Sequence, residues 1–269
     1  MIDRITNVDN STEALPFAKP LLAEVPLVNS FTFGDSFEII KLLDDKTIDL
    51  IITDPPYWHK KSPGKPYSER NTYETNSTFA NSNLFKADGM MMQNMSDFTD
   101  KDVYRLLPEF KRVMKIMNAY IFCNDTLVPY YAMWAEQNNL MFSILIWEKP
   151  LSIINKNRYS QNVEYIVRIY DYGTALNKID NNKYYNKVKK YSITDKIHPT
   201  QKPIGLIKEI IELSSNENDI IADFFGGSGT TAIACNELKR NFIIVEKDKN
   251  EFNKSKKRYD NFTAQTRLW

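Results

Sequence analysis

The chain has 269 residues, enough to bury a sizeable core as one α/β domain with an elaboration. Its 35 Lys and Arg residues balance 34 Asp and Glu residues, so a polyanionic partner must meet a local basic patch. Two distant cysteines and two histidines argue against a disulfide framework or a zinc site, and without a long apolar run or signal peptide we expect a cytoplasmic protein with no membrane association.

The first regular elements follow an N-terminal arm. Residues 1–30 contain three scattered prolines and are predicted to form this irregular arm. SFTFGD is then typical of a short strand, SFEIIKLLDD has helical spacing, and the apolar run in TIDLIIT is typical of a buried strand. Together these patterns predict a strand–helix–strand unit.

Apolar periodicity is lost after Tyr57 and returns at about Asp97, which is typical of a functional loop. A helical face follows in DKDVYRLLPEFKRVMKIM, where Pro108 should kink the helix or mark its true start. Later segments are predicted to be strands at AYIFCND, FSILIWEK and VEYIVRIY, and a helix–strand–helix–strand unit from KPIGLIKEIIELS to FIIVE. Strands that alternate with helices indicate a parallel sheet with helices on both faces.

A glycine-rich turn lies between the last two predicted strands. Gly227, Gly229 and Ala232 fit the pattern G-x-G-x-x-A, and Glu246 ends the next strand, where an acid can bind a ribose hydroxyl. Little chain follows Glu246, so the other strands must come from earlier in the chain, as in a circularly permuted nucleotide-binding sheet. Asp223 before the glycines suits a ligand with a cationic group, which favours S-adenosylmethionine over NAD.

The sequence TDPPYW follows the buried run that ends in TIDLIIT. Pro55 and Pro56 lack backbone N–H donors, so the carboxylate of Asp54 and nearby carbonyl groups form an acceptor-only surface beside the ring of Tyr57. Such a surface fits the exocyclic amino group of a nucleobase, which would have to be flipped out of a duplex. The alternative is that DPPY forms only a turn.

Three motifs in this order resemble those of the β-class amino-directed DNA methyltransferases, in which the catalytic motif precedes the cofactor motif. They are DPPY at 54–57, HPTQKP at 198–203 and DFFGGSGTT at 223–231. The resemblance runs from about Phe33 to Asp248. It implies an α/β fold with a circularly permuted Rossmann-like methyltransferase sheet, helices on both faces and a small target-recognition insert. Phe224 replaces a proline common in the third motif, which should change only local packing.

We predict the following division of the chain. Residues 31–170 would form the catalytic half of the methyltransferase domain, with a mobile DNA-facing loop at 60–96. Residues 171–196 would form the target-recognition insert, and residues 197–269 the cofactor-binding half.

Site residues follow by similarity. Asp54 and the carbonyl of Pro55 would hold the target amino group, with Pro56 completing the motif and Tyr57 stacking on the base. The residues implied in binding S-adenosyl-L-methionine are Asp35, Asp54, His198, Thr200, Lys202, Asp223, Phe225, Gly227, Ser228, Gly229, Thr230 and Glu246.

Two segments combine basic charge with aromatic rings, one directly after Tyr57 and one within 171–196. Lysines can neutralise phosphates and tyrosines can stack on bases, although both segments could equally be solvated loops. The predicted DNA-binding residues are Lys60, Lys61, Lys65, Arg70, Lys183, Tyr184, Lys187 and Lys189.

The predicted function is methyl transfer from S-adenosylmethionine to adenine N6 in double-stranded DNA, with no metal and no covalent enzyme intermediate. Asp, rather than Ser, opens the DPPY motif, which by resemblance favours adenine N6 over cytosine N4. Cys123 is predicted to be a core residue, which argues against cytosine C5 chemistry. The alternatives are cytosine N4 transfer, an NAD-dependent dehydrogenase and a DNA-binding protein with an inactive pocket. A partner restriction endonuclease, a homodimer and the target sequence stay open.

Overall fold

The computed structural model describes residues 27–56, 98–150, 159, 162–180, 182–193 and 201–266. The predicted arm at 1–30 lies mostly outside these residues, and the predicted loop at 60–96 lies wholly outside them. In the described part, no helix is both long and apolar enough to cross a membrane.

The strands form one mixed sheet. In chain order they are β1 (Ser30–Phe33), β2 (Leu50–Thr53), β3 (Asn118–Cys123), β4 (Met141–Glu148), β5 (Val163–Tyr170), β6 (Val188–Lys190), β7 (Ile220–Asp223) and β8 (Asn241–Glu246). Across the sheet they lie in the order β1-β8-β7-β2-β3-β5-β4-β6. The helices are α1 (Ser36–Ile39), α2 (Asp100–Val113), α3 (Val128–Gln137), α4 (Ile204–Ser214), α5 (Thr230–Glu237) and α6 (Lys249–Thr266).

Apolar side chains alternate between the two faces of the sheet and build a core on each. Ile51 packs with the apolar faces of α1, α2 and α3, whereas Leu50 and Ile52 pack with those of α4 and α5. A buried strand covered on both sides reads as a continuous apolar run, which is why β2 was recognisable in the sequence. The prediction of helices on both faces is confirmed.

The prediction of a parallel sheet needs one correction. Strand β5 is antiparallel to both of its neighbours, β3 and β4, while the other pairs are parallel. The amide of Lys149 donates to the carbonyl of Asn162 at 2.7 Å, which extends the antiparallel ladder beyond β4 and β5. The apolar run of a buried strand does not encode its direction, so the sequence pattern could not reveal this reversal.

Helix α2 begins at Asp100 and continues through Pro108. Of the two predicted effects of Pro108, a kink or the start of the helix, the second is wrong. The start is set by Thr99, whose backbone N–H donates to the Asp102 carboxylate at 2.8 Å in a capping box. Phe224, at the position of the usual proline, is buried and stacks on Phe110 of α2 with ring centroids 5.5 Å apart.

The segment predicted as a target-recognition insert is joined to the sheet. Its residues 188–190 form β6, which pairs with β4 as an edge strand. Lys189 on β6 is only 3% exposed and forms an ion pair with Glu209 of α4. Glu209 also accepts a hydrogen bond from the hydroxyl of Tyr191 at 2.5 Å. The structure therefore does not support the predicted contact between Lys189 and DNA, because its charge is buried and neutralised within the protein.

Two neighbouring lysines of β6 allow a matched test of this anchor. Lys189→Met leaves the carboxylate of Glu209 buried without its partner, so we expect a loss of about 3–5 kcal/mol in the free energy of unfolding. Lys190 is paired with Glu148 at the surface, where its side chain is 75% exposed, and Lys190→Met should cost less than about 1 kcal/mol. Urea unfolding of both variants measures the difference. Equal losses would contradict an anchoring role for Lys189.

Candidate functional site

The two predicted motifs meet where β2 and β7 lie side by side. These strands pair in parallel, so the residues that follow both of them emerge at the same edge of the sheet. The hydroxyl of Thr53 donates to Oδ1 of Asp223 at 3.0 Å, a bond between residues 170 positions apart. The DPPY segment, as far as Pro56, therefore lies beside the glycine turn. Tyr57 falls outside the described residues.

Asp223 organises the turn that follows it. Its Oδ2 accepts a hydrogen bond from the Thr231 hydroxyl at 2.7 Å, and its Oδ1 accepts one from the amide of Phe225 at 3.1 Å. Burial raises the pKa of Asp223 to about 6, although these hydrogen bonds act in the opposite direction. Both oxygens are thus occupied by protein donors, which makes Asp223 a brace for the turn. The predicted contact with the cofactor stays a prediction.

The glycine turn needs glycine for two physical reasons. A Cβ at Gly226 would lie 2.2 Å from Cγ2 of Ile244, so the backbone passes against β8 too closely for any side chain. Gly227 and Gly229 have φ of 47° and 72°, the left-handed region that other residues rarely adopt. The glycines of the motif thus mark a segment of backbone that passes close to the end of β8 before α5 begins.

Glu246, at the end of β8, faces the same turn. Its Oε2 accepts a hydrogen bond from the amide of Gly227 at 2.9 Å, and its Oε1 accepts one from the amide of Asp248 at 2.8 Å. Burial raises the pKa of Glu246 above its ordinary value, against the effect of these amides. The carboxylate is therefore held in place beside the glycines. Its predicted contact with the cofactor ribose stays a prediction.

A cavity of about 430 Å³ opens next to Phe225, which precedes the glycines, and Lys247, which follows Glu246. Its lining includes Asp35 and Phe225, two of the predicted cofactor residues, and also Pro56 of the DPPY motif. This volume lies within the range of roughly 300–1,000 Å³ that is typical of small-molecule sites. Residues of both the predicted catalytic half and the predicted cofactor-binding half thus line the cavity.

Two aromatic rings that sequence reasoning missed, Phe37 and Phe98, form a wall of this cavity together with Phe225. Phe37 and Phe98 stack with their ring centroids 6.3 Å apart, and Phe98 meets Phe225 edge to face at 5.8 Å. The amide of Phe98 also donates to the carbonyl of Pro56 at 3.1 Å. Nothing in the sequence pattern brings Phe98 to the DPPY segment. Such a wall offers flat apolar surface to a ring system.

Asp35 and Lys247 mark the polar side of the cavity. Asp35 caps α1, because its Oδ1 accepts a hydrogen bond from the amide of Phe37 at 2.9 Å. Its other oxygen lies 3.7 Å from the ammonium of Lys247. One carboxylate therefore shapes the cavity by starting the short helix and presents charge to its interior.

Asp54 is half-buried and lies beside two buried charges. Its Oδ2 is 2.5 Å from the ammonium of Lys202, and the same ammonium is 2.8 Å from Oε1 of Glu164 on β5. Lys202 was predicted to bind the cofactor; in the structure it joins these two carboxylates. Glu164 was not predicted to belong to the site at all. Its only signal is an acid within the apolar strand sequence VEYIVRIY.

The second oxygen of Asp54 has a different environment. Oδ1 is buried, and no donor within the described part of the chain reaches it. Burial raises the pKa of Asp54 to about 6; Lys202 lowers it, whereas Glu164 and Asp223 raise it further. Leaving a buried acceptor without a hydrogen bond costs free energy, so Oδ1 is suited to accept a hydrogen bond from a ligand.

Some of the remaining predicted residues lie within the described part of the chain, and others lie outside it. Cys123 is buried at the end of β3, which confirms that it is a core residue, and burial raises the pKa of its thiol well above the ordinary value. Tyr184 is half-buried and Lys187 is exposed beside β6. The residues Tyr57, Lys60, Lys61, Lys65, Arg70, His198 and Thr200, with the side chain of Lys183, lie outside the described part of the chain.

Comparison with known proteins gives consistent matches in sequence. The model of a family described as DNA methylase matches residues 48–257. The type II methyltransferase M2.LlaDCHI from Lactococcus lactis subsp. cremoris is 27% identical over 248 residues, which cover 84% of this chain and 87% of that protein. The type II methyltransferase M.HinfI from Haemophilus influenzae is 28% identical over 259 residues, which cover 86% and 68%.

Solved structures match the same fold. The crystal structure of the M1.HpyAVI–SAM complex has a TM-score of 0.57 and 28% sequence identity, with 85% of this chain and 98% of that chain covered. The cytosine-N4-specific PvuII DNA methyltransferase has a TM-score of 0.62 at 14% identity, with 89% and 92% covered, a likeness of fold alone. These matches confirm the predicted α/β methyltransferase fold.

Proposed function

Because the chain belongs to the DNA methylase family, we propose that it transfers a methyl group from S-adenosylmethionine to the N6 amino group of adenine in double-stranded DNA. Transfer of a methyl group to DNA is the activity of the family, and the family rules out the dehydrogenase considered from the glycine turn. The choice of adenine as the target base and the role given to each residue go beyond what the family shows.

One observation carries the catalytic role of Asp54: its buried Oδ1 has no donor within the described residues, at the sheet edge that also holds the glycine turn. The nitrogen of an exocyclic amino group is a weak nucleophile, because its lone pair is delocalised into the ring. Oδ1 can accept one N–H of this group and favour the pyramidal geometry from which the nitrogen can attack. The carbonyl of Pro55 is proposed to accept the second N–H.

Asp54 also has a use after the attack. The nitrogen becomes positively charged when its bond to the methyl group forms, and it must then lose a proton. Oδ1 is the acceptor already in contact, and a carboxylate with a pKa of about 6 can pass the proton on to water near neutral pH. No nucleophilic side chain is needed, which agrees with the inert, buried thiol of Cys123.

The cavity fits the proposed cofactor. Phe37, Phe98 and Phe225 offer aromatic surface to its adenine, and Asp35 offers a carboxylate to its amino group. Glu246, held beside the glycine turn, is proposed to bind its ribose hydroxyls. The methionine part of the cofactor is proposed to lie along the glycine turn, whose residues 227 and 229 carry no side chain. When bound, S-adenosylmethionine supplies a methyl group made electrophilic by its sulfonium. The chain's own residues orient the acceptor and remove its proton.

One argument supports adenine over cytosine N4: Asp54 opens the motif, as in the adenine enzymes that the sequence resembles. The fold does not decide between the bases, since the cytosine-N4-specific PvuII enzyme shares it. Cytosine N4 transfer is therefore the second candidate.

The proposal extends to how DNA reaches the site. An amino group inside a duplex cannot contact a buried carboxylate, so the target base is flipped out, at a cost of a few kcal/mol for unstacking. Stacking on Tyr57 would offset part of this cost. Lys60, Lys61, Lys65 and Arg70 follow Tyr57 in the chain and are proposed to contact phosphates, as is the exposed Lys187. A restriction endonuclease partner is proposed from the type II names of the relatives.

Isotope transfer followed by nucleoside analysis tests both the activity and the base. With methyl-labelled S-adenosylmethionine and duplex DNA, the label should appear in N6-methyladenine. Asp54→Ala removes the acceptor and should slow transfer about 100-fold or more. Asp125→Ala is the matched control, since this exposed aspartate follows β3 at the same edge of the sheet and should keep its activity. Label in N4-methylcytosine would overturn the choice of base, and full activity of Asp54→Ala would overturn the mechanism.

The rate of transfer should also depend on pH in the acidic range. Because burial raises the pKa of Asp54 to about 6, the carboxylate gains a proton as the pH falls through that value, and the single-turnover rate should fall with it. Asp223 has a similar pKa, so either group could cause the fall in rate. The pH dependence of the activity that remains in Asp54→Asn distinguishes the two. Loss of the acidic limb in this variant assigns the limb to Asp54. A limb that persists would assign it to another group.

A further inference from the structure

Glu164 is a buried acid in the middle of the sheet. It lies on β5, is 5% exposed, and has both carboxylate oxygens in ion pairs. Oε1 is 2.8 Å from the ammonium of Lys202, and Oε2 is 3.0 Å from that of Lys149. Removing an ion from water costs several kcal/mol even after relaxation, so a buried strand would be more stable with an apolar residue at this position. We therefore expect the charge of Glu164 to have a role other than stabilising the fold.

The geometry connects this acid to Asp54. Lys202 lies between the two carboxylates and contacts Oδ2 of Asp54 at 2.5 Å. Glu164 holds the lysine from the opposite side, so the ammonium is kept on Oδ2 and away from the buried Oδ1. Without this second carboxylate, the flexible lysine side chain could turn to cover Oδ1, the oxygen that must meet the target.

We propose that Glu164 is a positioning residue, which acts through Lys202 to keep the ammonium away from Oδ1 of Asp54, the oxygen that meets the target amine, and to control how readily Asp54 takes up a proton. The identity of the amine rests on the proposed methyl transfer. The action of Glu164 on Asp54 does not, and it can be measured in the protein without DNA or cofactor.

The charged and titratable groups around Asp54 give the effect a definite sign. They are Lys202 before α4, Glu164 on β5, Asp223 on β7, Cys123 on β3 and Tyr131 on α3. The charge of Glu164 raises the pKa of Asp54, and Glu164 also draws the ammonium of Lys202 towards itself. Removing that charge therefore lowers the pKa of Asp54 by both routes. Removing the charge of Lys202 raises it.

Carbon NMR of the full-length protein measures this directly. With aspartate labelled at its carboxyl carbon, the signal of Asp54 is identified by its loss in Asp54→Asn, and its titration midpoint is then recorded. Glu164→Gln keeps the size of the side chain and should lower the midpoint by about half a pH unit or more. Lys202→Met should raise it. A merely structural disturbance would not move the two variants in opposite directions.

A matched control is available on the neighbouring strand. Glu148 on β4 pairs with Lys190 at the surface, and Glu148→Gln should leave the midpoint of Asp54 unchanged. An unchanged midpoint in Glu164→Gln, in a protein that retains its fold, would overturn the positioning role.

Activity measurements separate this inference from the proposed function. If the protein transfers methyl groups, the acidic limb of the rate for Glu164→Gln should shift to lower pH, in parallel with the NMR midpoint. Absence of methyl transfer in the wild-type protein would refute the proposed function and leave the NMR result standing. Normal transfer with no shift in either the limb or the midpoint would refute the role of Glu164 alone.

Discussion

The parallel pairing of β2 with β7 is the constraint on which the site depends. The two strands come from distant parts of the chain, yet their carboxyl ends meet at one edge of the sheet. The chain leaves them in opposite directions, towards β3 on one side and β8 on the other, and this divergence opens a crevice at the edge. The bond from Thr53 to Asp223 closes the floor of the crevice. Through this one junction, a segment that begins the catalytic half shares a site with the glycine turn near the end of the chain.

Buried charge is concentrated around this junction. Asp54 and Asp223 would be unstable as isolated ions in the interior, and each is stabilised in its own way. Asp223 has hydroxyl and amide donors on both oxygens, so it is fully satisfied and braces the turn. Asp54 has a lysine on one oxygen and no described donor on the other. Two acids on neighbouring strands thus differ in what they can do, because one has completed its hydrogen bonds within the protein and the other has not.

The sequence predicted the parts of this site that local patterns encode. The continuous apolar runs identified β2 and β7, and the glycines marked a turn whose close approach to Ile244 and positive φ values require them. The direction of β5 and helices α3 and α6 were missed, since buried strands read alike in both directions and α6 is largely polar. Glu164 and Phe98 were missed because only tertiary contacts bring them to Asp54 and Pro56. Lys189 was misread in the same way: the pattern around it suggested DNA, but packing against Glu209 gives this lysine a different partner.

The measurement that tests the shared site most directly is a crystal structure of the protein with S-adenosylmethionine bound. We expect cofactor density in the cavity between Asp35 and Phe225, along the glycine turn, with the sulfonium directed at Oδ1 of Asp54. Binding at another surface, or in the cavity with the sulfonium directed away from Asp54, would contradict this expectation.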